Sequence, residues 1–267
     1  YITSGGSEYS QGHKLLKDRL YINDGLGNFI KKLTALPNIY QSSQTVKTSD
    51  IDGDGDLDLF VGTRLISGKY IFPATSYLLI NENGNFKQAA KKTAPDHEKI
   101  GMVTDAVFSD IDNDGDADVL VVGEWMKIII LENNNGNFKE SSAKFGIKDD
   151  SRGLWWSITA NDIDNDGDDD LYVVSGGNEF SPGSSTYLDR LYVNDGLGVF
   201  SFNRELLPNI FKSGSVVKPY DFDNDGDLDL FIGSRMIPWN YQESATSYFL
   251  VTQRCKFINY KETTEHI

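Results

Sequence analysis

The 267-residue sequence contains one cysteine, three histidines and three methionines. The single cysteine, Cys255, excludes a disulfide within the chain and so says nothing about the redox compartment. Apolar runs such as "KIIILE" at 127–132 are far too short to cross a bilayer, so no transmembrane segment is expected. The opening "YITSGG" has no pattern of a secretion signal and reads as the middle of a strand. We therefore expect a piece of a longer protein.

Patterns of common catalytic sites are also missing. The histidines (His13, His97 and His266) share no metal-ligand spacing, and the sequence has no G-x-S-x-G elbow, phosphate-binding loop or Cys/His pair. Glu124 in "GEWM" and Glu179 in "GGNEF" are candidates for a glycan-cleaving pair, but each is more typical of a solvated or hydrogen-bonding loop residue. The sequence predicts that the chain is not an enzyme. A polysaccharide-degrading propeller enzyme is the alternative.

Negative charge is abundant but confined to short segments. The net charge is −15, from 25 basic and 40 acidic residues. Four aspartate-rich segments hold 21 of these acids, and outside them the 25 basic residues exceed the remaining 19 acids. No basic stripe is available to displace the counterions of a nucleic acid, so nucleic acid is not an expected partner.

The four aspartate-rich segments recur at nearly even spacing. They are loop I, "DIDGDGDLD" (50–58); loop II, "DIDNDGDAD" (110–118); loop III, "DIDNDGDDD" (162–170); and loop IV, "DFDNDGDLD" (221–229). Their starts are 60, 52 and 59 residues apart, and "DRLYINDGLGNF" (18–29) returns as "DRLYVNDGLGVF" (189–200) after 171 residues. A period in the fifties is typical of repeat architectures with one supersecondary unit per repeat.

Each repeat has the pattern of four β-strands. A short half-buried run precedes the aspartate loop, a buried run such as "LDLFVG" follows it, and a third run leads through an Asn/Gly-rich turn into a fourth. This predicts an all-β fold of four-stranded β-propeller blades; a β-solenoid or a row of sandwich domains are the alternatives. The predicted units are a partial blade at 1–40 and blades at 41–95, 96–147, 148–208 and 209–267. Because Tyr1 aligns with Tyr172 in the 171-residue repeat, the first blade lacks its first strand, and about four and a half blades of a larger propeller are expected.

The aspartate loops have the oxygen spacing that Ca²⁺ requires. The ion takes about 6–8 carboxylate and carbonyl oxygens. Side chains at loop positions 1, 3, 5 and 9, together with the backbone carbonyl at position 7, would supply them. Position 6 is glycine, which permits the sharp turn. The predicted ligands are Asp50, Asp52, Asp54, Asp56, Asp58, Asp110, Asp112, Asp114, Asp116, Asp118, Asp162, Asp164, Asp166, Asp168, Asp170, Asp221, Asp223, Asp225, Asp227 and Asp229.

Three alternatives to calcium loops fit the sequence less well. An EF-hand needs a bidentate glutamate at position 12 and flanking helices, whereas position 12 here is Val61, Val121, Val173 or Ile232 within a strand pattern. A metal-free acidic turn would leave several carboxylates repelling one another. Magnesium prefers a rigid octahedral site and retains its waters. We predict about four structural Ca²⁺ ions, and weak sites of this kind would fill only at extracellular calcium levels, which favours an extracellular or cell-surface location.

The loops and the runs that follow them resemble the FG-GAP/VCBS repeat, which builds the calcium-binding β-propeller of integrin α chains. The stretches "IGMVTDAVFSDIDNDGDADVLVVGEWM" (100–126) and "DFDNDGDLDLFIGSR" (221–235) are most similar to bacterial VCBS-repeat proteins of the ASPIC/UnbV, cartilage-acidic-protein-like type. The resemblance implies a propeller, calcium in the loops, and a secreted or surface location, such as the bacterial outer membrane. It implies no catalytic activity, since the fold serves many functions.

Long irregular segments are expected at the end of the propeller opposite the aspartate loops. They are residues 4–16, 64–75, 176–189 and 235–246, and we call the surface they form the loop face. Its aromatic residues are candidates for contacting a protein or glycan partner: Tyr70, Trp125, Phe180, Trp239 and Tyr241. Alternatively, these rings pack the loops onto neighbouring blades. The sequence thus predicts an adhesion or scaffold module, with a purely structural subunit of a larger surface assembly as a further alternative.

Overall fold

The computed structural model describes residues 1–89, 93–94, 98–253 and 256–260. Cys255, His97 and His266 lie outside the described residues. The described chain consists of β-strands, turns and three short 3₁₀ helices, at Lys14–Leu16, Asp149–Ser151 and Ser185–Tyr187. None of its helices has the length and apolar character needed to cross a bilayer. The predicted all-β fold is confirmed.

Strands follow one another as antiparallel meanders that form the blades. The first, partial blade has β1 (Leu20–Asn23) and β2 (Phe29–Lys32), with Ile2 bridged to Arg19. The second has β3 (Ser42–Ser49), β4 (Asp58–Leu65), β5 (Tyr77–Glu82) and β6 (Asn85–Gln88). The third has β7 (Met102–Ser109), β8 (Asp118–Met126), β9 (Ile129–Asn134) and β10 (Asn137–Glu140). The fourth has β11 (Gly153–Asn161), β12 (Asp170–Ser175), β13 (Arg190–Val193) and β14 (Ser201–Phe202). The fifth has β15 (Val216–Tyr220), β16 (Asp229–Gly233), β17 (Tyr248–Gln253) and β18 (Lys256–Asn259).

The second strand of each of the four blades that contain an aspartate loop is buried on both faces. In β4, the side chains of Leu59 and Val61 join one hydrophobic cluster while Phe60 joins another, because successive side chains point to opposite faces of a strand. The same double burial explains why these strands are nearly continuous apolar runs instead of alternating apolar and polar residues. Each aspartate loop connects the first strand of its blade to this buried second strand.

The hydrophobic cores lie between blades. One cluster joins Phe60 and Leu78 of the second blade to Val119 and Val121 of the third. Equivalent clusters join the third blade to the fourth and the fourth to the fifth. A four-stranded sheet therefore buries its apolar faces only against the neighbouring blades, as expected of a repeat architecture.

Buried polar contacts also connect the blades. Asp105 on β7 accepts a hydrogen bond from Thr45 of the preceding blade at 3.2 Å and from Ser157 of the following blade at 2.8 Å. Lys47 forms an ion pair with the same carboxylate at 2.9 Å. First strands of three successive blades thus converge on one aspartate.

Asp189 forms a second inter-blade junction that is fully buried. Its Oδ2 accepts hydrogen bonds from Tyr172 Oη of the fourth blade, at 2.8 Å, and Tyr248 Oη of the fifth, at 3.0 Å, while its Oδ1 accepts from the backbone N–H of Ser175 at 2.8 Å. Burial is the main cause that raises the pKa of Asp189 to about 6. Asp18, which lies 171 residues earlier, repeats the arrangement with Tyr1 and Ser4.

Candidate functional site

The four aspartate loops share one backbone conformation. The first aspartate of each loop accepts hydrogen bonds from the backbone N–H groups of positions 5 and 6; in loop II these run from Asp114 at 3.0 Å and Gly115 at 2.9 Å to Asp110. Position 4 has a left-handed backbone in every loop, at Gly53, Asn113, Asn165 and Asn224. Glycine and asparagine adopt that conformation most readily, which accounts for their presence there. The turn is therefore closed by the backbone and the first aspartate together.

This turn brings carboxylates of each loop together. Ligand atoms of three aspartates lie within 4.8 Å of one another in each loop: Asp50, Asp52 and Asp58 in loop I; Asp110, Asp112 and Asp114 in loop II; Asp162, Asp164 and Asp166 in loop III; Asp221, Asp223 and Asp225 in loop IV. Oδ1 of Asp112 and Oδ1 of Asp164 are buried without a hydrogen-bond partner. Unpartnered carboxylate oxygens facing other carboxylates are the donor set of a hard divalent cation, so the residues present fit such an ion.

The ninth aspartate of each loop has a role that sequence reasoning missed. Asp118 is buried, and its Oδ2 accepts from the N–H of Ile111 at 3.3 Å while its Oδ1 accepts from the N–H of Asn133 at 2.7 Å. The same pair of backbone donors recurs around Asp58, Asp170 and Asp229. This residue therefore joins the aspartate loop to the hairpin between the third and fourth strands, whether or not it also binds an ion.

Burial and crowding disfavour the ionised form of Asp118 and Asp170. Burial, together with the charges of Asp112 and Asp114 and partly offset by the hydrogen bonds from the backbone, raises the pKa of Asp118 to about 7. The pKa of Asp170 is raised to about 7 for the same reasons. A cation bound among the carboxylates would offset both the burial of charge and the repulsion.

Hairpins of one blade contact the aspartate loop of the preceding blade. Asn133 Nδ2 donates to the carbonyl of Ile51 in loop I at 3.0 Å, and Asn194 Nδ2 donates to the carbonyl of Ile111 in loop II at 3.2 Å. Lys144 Nζ lies 3.2 Å from Asp112 Oδ2. The aspartate loops therefore lie at blade–blade junctions, and they share one end of the propeller with the Asn/Gly hairpins, as predicted.

Three of the predicted aromatic residues meet on the loop face. Trp125 Nε1 donates a hydrogen bond to Tyr70 Oη at 3.1 Å, and the Trp125 and Phe180 ring centroids are 6.1 Å apart. Tyr70 is 47% exposed and Trp125 is 43% exposed. These three residues form what we call the aromatic cluster. Trp239 and Tyr241 are also exposed, and Trp239 contacts the neighbouring loop through a hydrogen bond from its backbone N–H to Asn178 Oδ1.

The backbone is strained at bulky residues of the loop face. Eight described non-glycine residues have positive φ angles, and five of them are asparagines in turns. The other three are Ile71, Trp125 and Trp239, all exposed. Left-handed geometry at such a residue costs about 1–3 kcal/mol and persists where the surrounding structure imposes it, often at binding sites.

Glu124 is not the solvated loop residue that its sequence context indicated. It lies within β8, is buried, and pairs with Arg64 of the preceding blade, with 2.7 Å between Oε1 and the guanidinium Nη2. The Arg64 guanidinium also lies 5.0 Å from the centre of the Trp156 ring. Arg64 of the second blade thus contacts residues of both the third and the fourth blade. Glu179 is exposed and borders the aromatic cluster, with its Oε1 3.5 Å from Tyr70 Oη.

Comparison with known proteins agrees with this geometry. The FG-GAP-like repeat family matches residues 110–173 and 162–232. Cartilage acidic protein 1 of Mus musculus is 32% identical over 91 residues, which cover 32% of this chain and 14% of that protein. A solved structure of an Agrocybe aegerita lectin, described for its recognition of non-reducing terminal N-acetylglucosamine, aligns with a TM-score of 0.43 and 14% identity over 90% of this chain and 72% of the lectin chain. The chain thus contains FG-GAP-like repeats, which are propeller blades, and the resemblance predicted from the aspartate loops is confirmed.

Proposed function

We propose that this chain is a calcium-stabilised β-propeller of the cell surface or extracellular space that binds a protein or a glycan through its loop face. The observation that carries the proposal is the aromatic cluster, in which rings from three blades meet: Tyr70 and Trp125 are exposed, Phe180 is half-buried, and Trp125 has a left-handed backbone. If these rings only packed the loops together, the free-energy cost of the left-handed backbone at Trp125 and Trp239 would bring no benefit. Binding is favoured over catalysis because the Glu124 carboxylate is buried and pairs through its Oε1 with Arg64.

Calcium has a structural role in this proposal. Each aspartate loop connects the first and second strands of a blade, and loops I and II contact the hairpin of the next blade. An ion there would fix the turn and the blade junction together. Sites with the affinity common in extracellular modules, Kd about 0.1–1 mM, would contribute about 0.5–1.5 kcal/mol each at millimolar calcium.

Binding to a glycan array, followed by calorimetry with the best-binding oligosaccharide, tests the glycan form of the proposal; an array of extracellular proteins tests the protein form. Trp125→Ala is expected to weaken the interaction at least tenfold, because aromatic anchors at the centre of an interface dominate its affinity. Leu197→Ala is the matched control, since Leu197 is 76% exposed on a hairpin at the opposite end. Equal affinity of both variants, or release of shortened oligosaccharide products, would contradict the proposal.

A further inference from the structure

Two hydrogen bonds connect successive aspartate loops directly. Asn113 Nδ2 of loop II donates to Asp168 Oδ1 of loop III at 2.9 Å. Asn165 Nδ2 of loop III donates to Asp227 Oδ1 of loop IV at 2.7 Å. In both cases position 4 of one loop contacts position 7 of the loop in the next blade. Loops II, III and IV therefore form one continuous chain of contacts.

Each end of these bonds is adjacent to the carboxylate clusters. Asn113 lies between Asp112 and Asp114, both of which belong to the loop II cluster. At the other end, the backbone N–H of Asp168 donates to Asp166 Oδ1 at 3.1 Å, and Asp166 belongs to the loop III cluster. Fixing the Asp168 side chain therefore also orients a carboxylate of loop III.

Loop I lacks this connection. Its position 4 is Gly53, which has no side chain, and Oδ2 of Asp116 in loop II instead accepts from the backbone N–H of Asn135 at 2.8 Å. The other inter-blade contact, from a hairpin asparagine to a loop carbonyl, is present at both loop I and loop II. The side chain at position 4 is thus what distinguishes the junction of loops I and II from the two that follow.

We propose that Asn113 and Asn165 are positioning residues that couple calcium binding in loops II, III and IV, whereas loop I binds its ion without this link. The inference rests on the proposed calcium binding. An ion that orders one loop also orders its asparagine, and the hydrogen bond then fixes the ligand geometry of the next loop. A second ion consequently binds a loop that is already ordered, which is positive cooperativity.

Isothermal titration calorimetry, in which calcium is added to the chelator-stripped protein, tests the coupling. The wild type is expected to show a Hill coefficient above one. In Asn113→Gly/Asn165→Gly the coefficient is expected to fall to about one, with an apparent affinity about fivefold weaker, the effect of losing one net hydrogen bond per junction. Glycine accepts the left-handed backbone at these positions, as Gly53 does in loop I. Circular dichroism in millimolar calcium confirms that each variant is folded.

Asn224→Gly is the matched control. It makes the same substitution at position 4 of loop IV, where the side chain is exposed and makes no inter-blade hydrogen bond among the described residues, so the titration is expected to match the wild type. Gly53→Asn tests the converse. A Cβ at residue 53 meets no atom within 4 Å, and the new amide could reach Asp116, so loop I should join the cooperative set and bind about fivefold more tightly.

The outcomes separate this inference from the proposed function. Non-cooperative binding by the wild type, or an equal loss of cooperativity in the control and in the Asn113/Asn165 variant, would overturn the coupling while leaving calcium binding intact. Absence of calcium binding by the wild type, in calorimetry and in equilibrium dialysis with radioactive calcium, would overturn both.

Discussion

Replacing Asp189 by asparagine should reverse the sign of its effect on stability between acidic and neutral pH. The carboxyl is buried against Tyr172 and Tyr248, and its pKa is raised from 3.8 to about 6. A folded-state pKa above the unfolded value means that the folded chain holds a proton that the unfolded chain has lost. The associated stability is fully present below about pH 4 and is lost as the pH rises through 6, up to about 3 kcal/mol at neutral pH.

Asp189→Asn removes this titration and keeps the shape of the side chain. Its amide oxygen can still accept from Ser175, but its amide nitrogen then replaces the oxygen that accepted from Tyr172 and Tyr248, so both hydroxyls must turn to accept from it, at a cost of about 1 kcal/mol. The variant should therefore be about 1 kcal/mol less stable than the wild type near pH 4 and about 2 kcal/mol more stable near pH 7. Urea denaturation across this pH range in saturating calcium measures the difference.

Glu205→Gln, at an exposed carboxylate, is the control and should follow the wild-type pH profile. If the difference between Asp189→Asn and the wild type is the same at both ends of the pH range, Asp189 is ionised throughout and the reasoning from burial is wrong.

Two further perturbations probe other contacts. Arg64→Met leaves the Glu124 carboxylate buried without its counter-charge and is expected to cost about 3–5 kcal/mol in urea denaturation. Arg235→Met, at the same repeat position but without an acidic partner among the described residues, should change stability by no more than about 0.5 kcal/mol; equal losses would show that Glu124 does not depend on Arg64. Chelation of calcium is expected to lower the free energy of unfolding by about 2–6 kcal/mol over four loops, and superimposed denaturation curves in calcium and in chelator would refute a structural role for the ion.

Local signals made the strands and loops predictable. The aspartate spacing repeats within nine residues, and the strand pattern is set by runs of three or four consecutive apolar residues, so neither depends on distant contacts. The run that precedes loop III lies in β11, as the strand pattern predicts. Glycine and asparagine, the residue types at position 4, favour the left-handed backbone that the structure has there.

Contacts between blades could not be read from single residues. Asp105 and Asp189 look like ordinary surface acids in the sequence, but each contacts side chains of neighbouring blades that are 52–60 residues away. Glu124 was misjudged for the same reason. A signal was present in that case, because Arg64 and Glu124 occupy the same position in successive repeats, six residues after the ninth aspartate. Opposite charges at matching repeat positions indicate an ion pair across a blade junction.

The location of the hydrophobic clusters between blades determines which rearrangements of the chain can fold. Removal of one whole repeat eliminates two hydrophobic clusters between blades. The two blade surfaces that then meet have the same pattern of apolar side chains, so one new inter-blade cluster replaces the two that were lost. A cut through the middle of a blade instead leaves apolar side chains on both fragments facing water. Duplications and deletions in such a gene should therefore add or remove whole repeats, and their breakpoints should lie in the connections between blades.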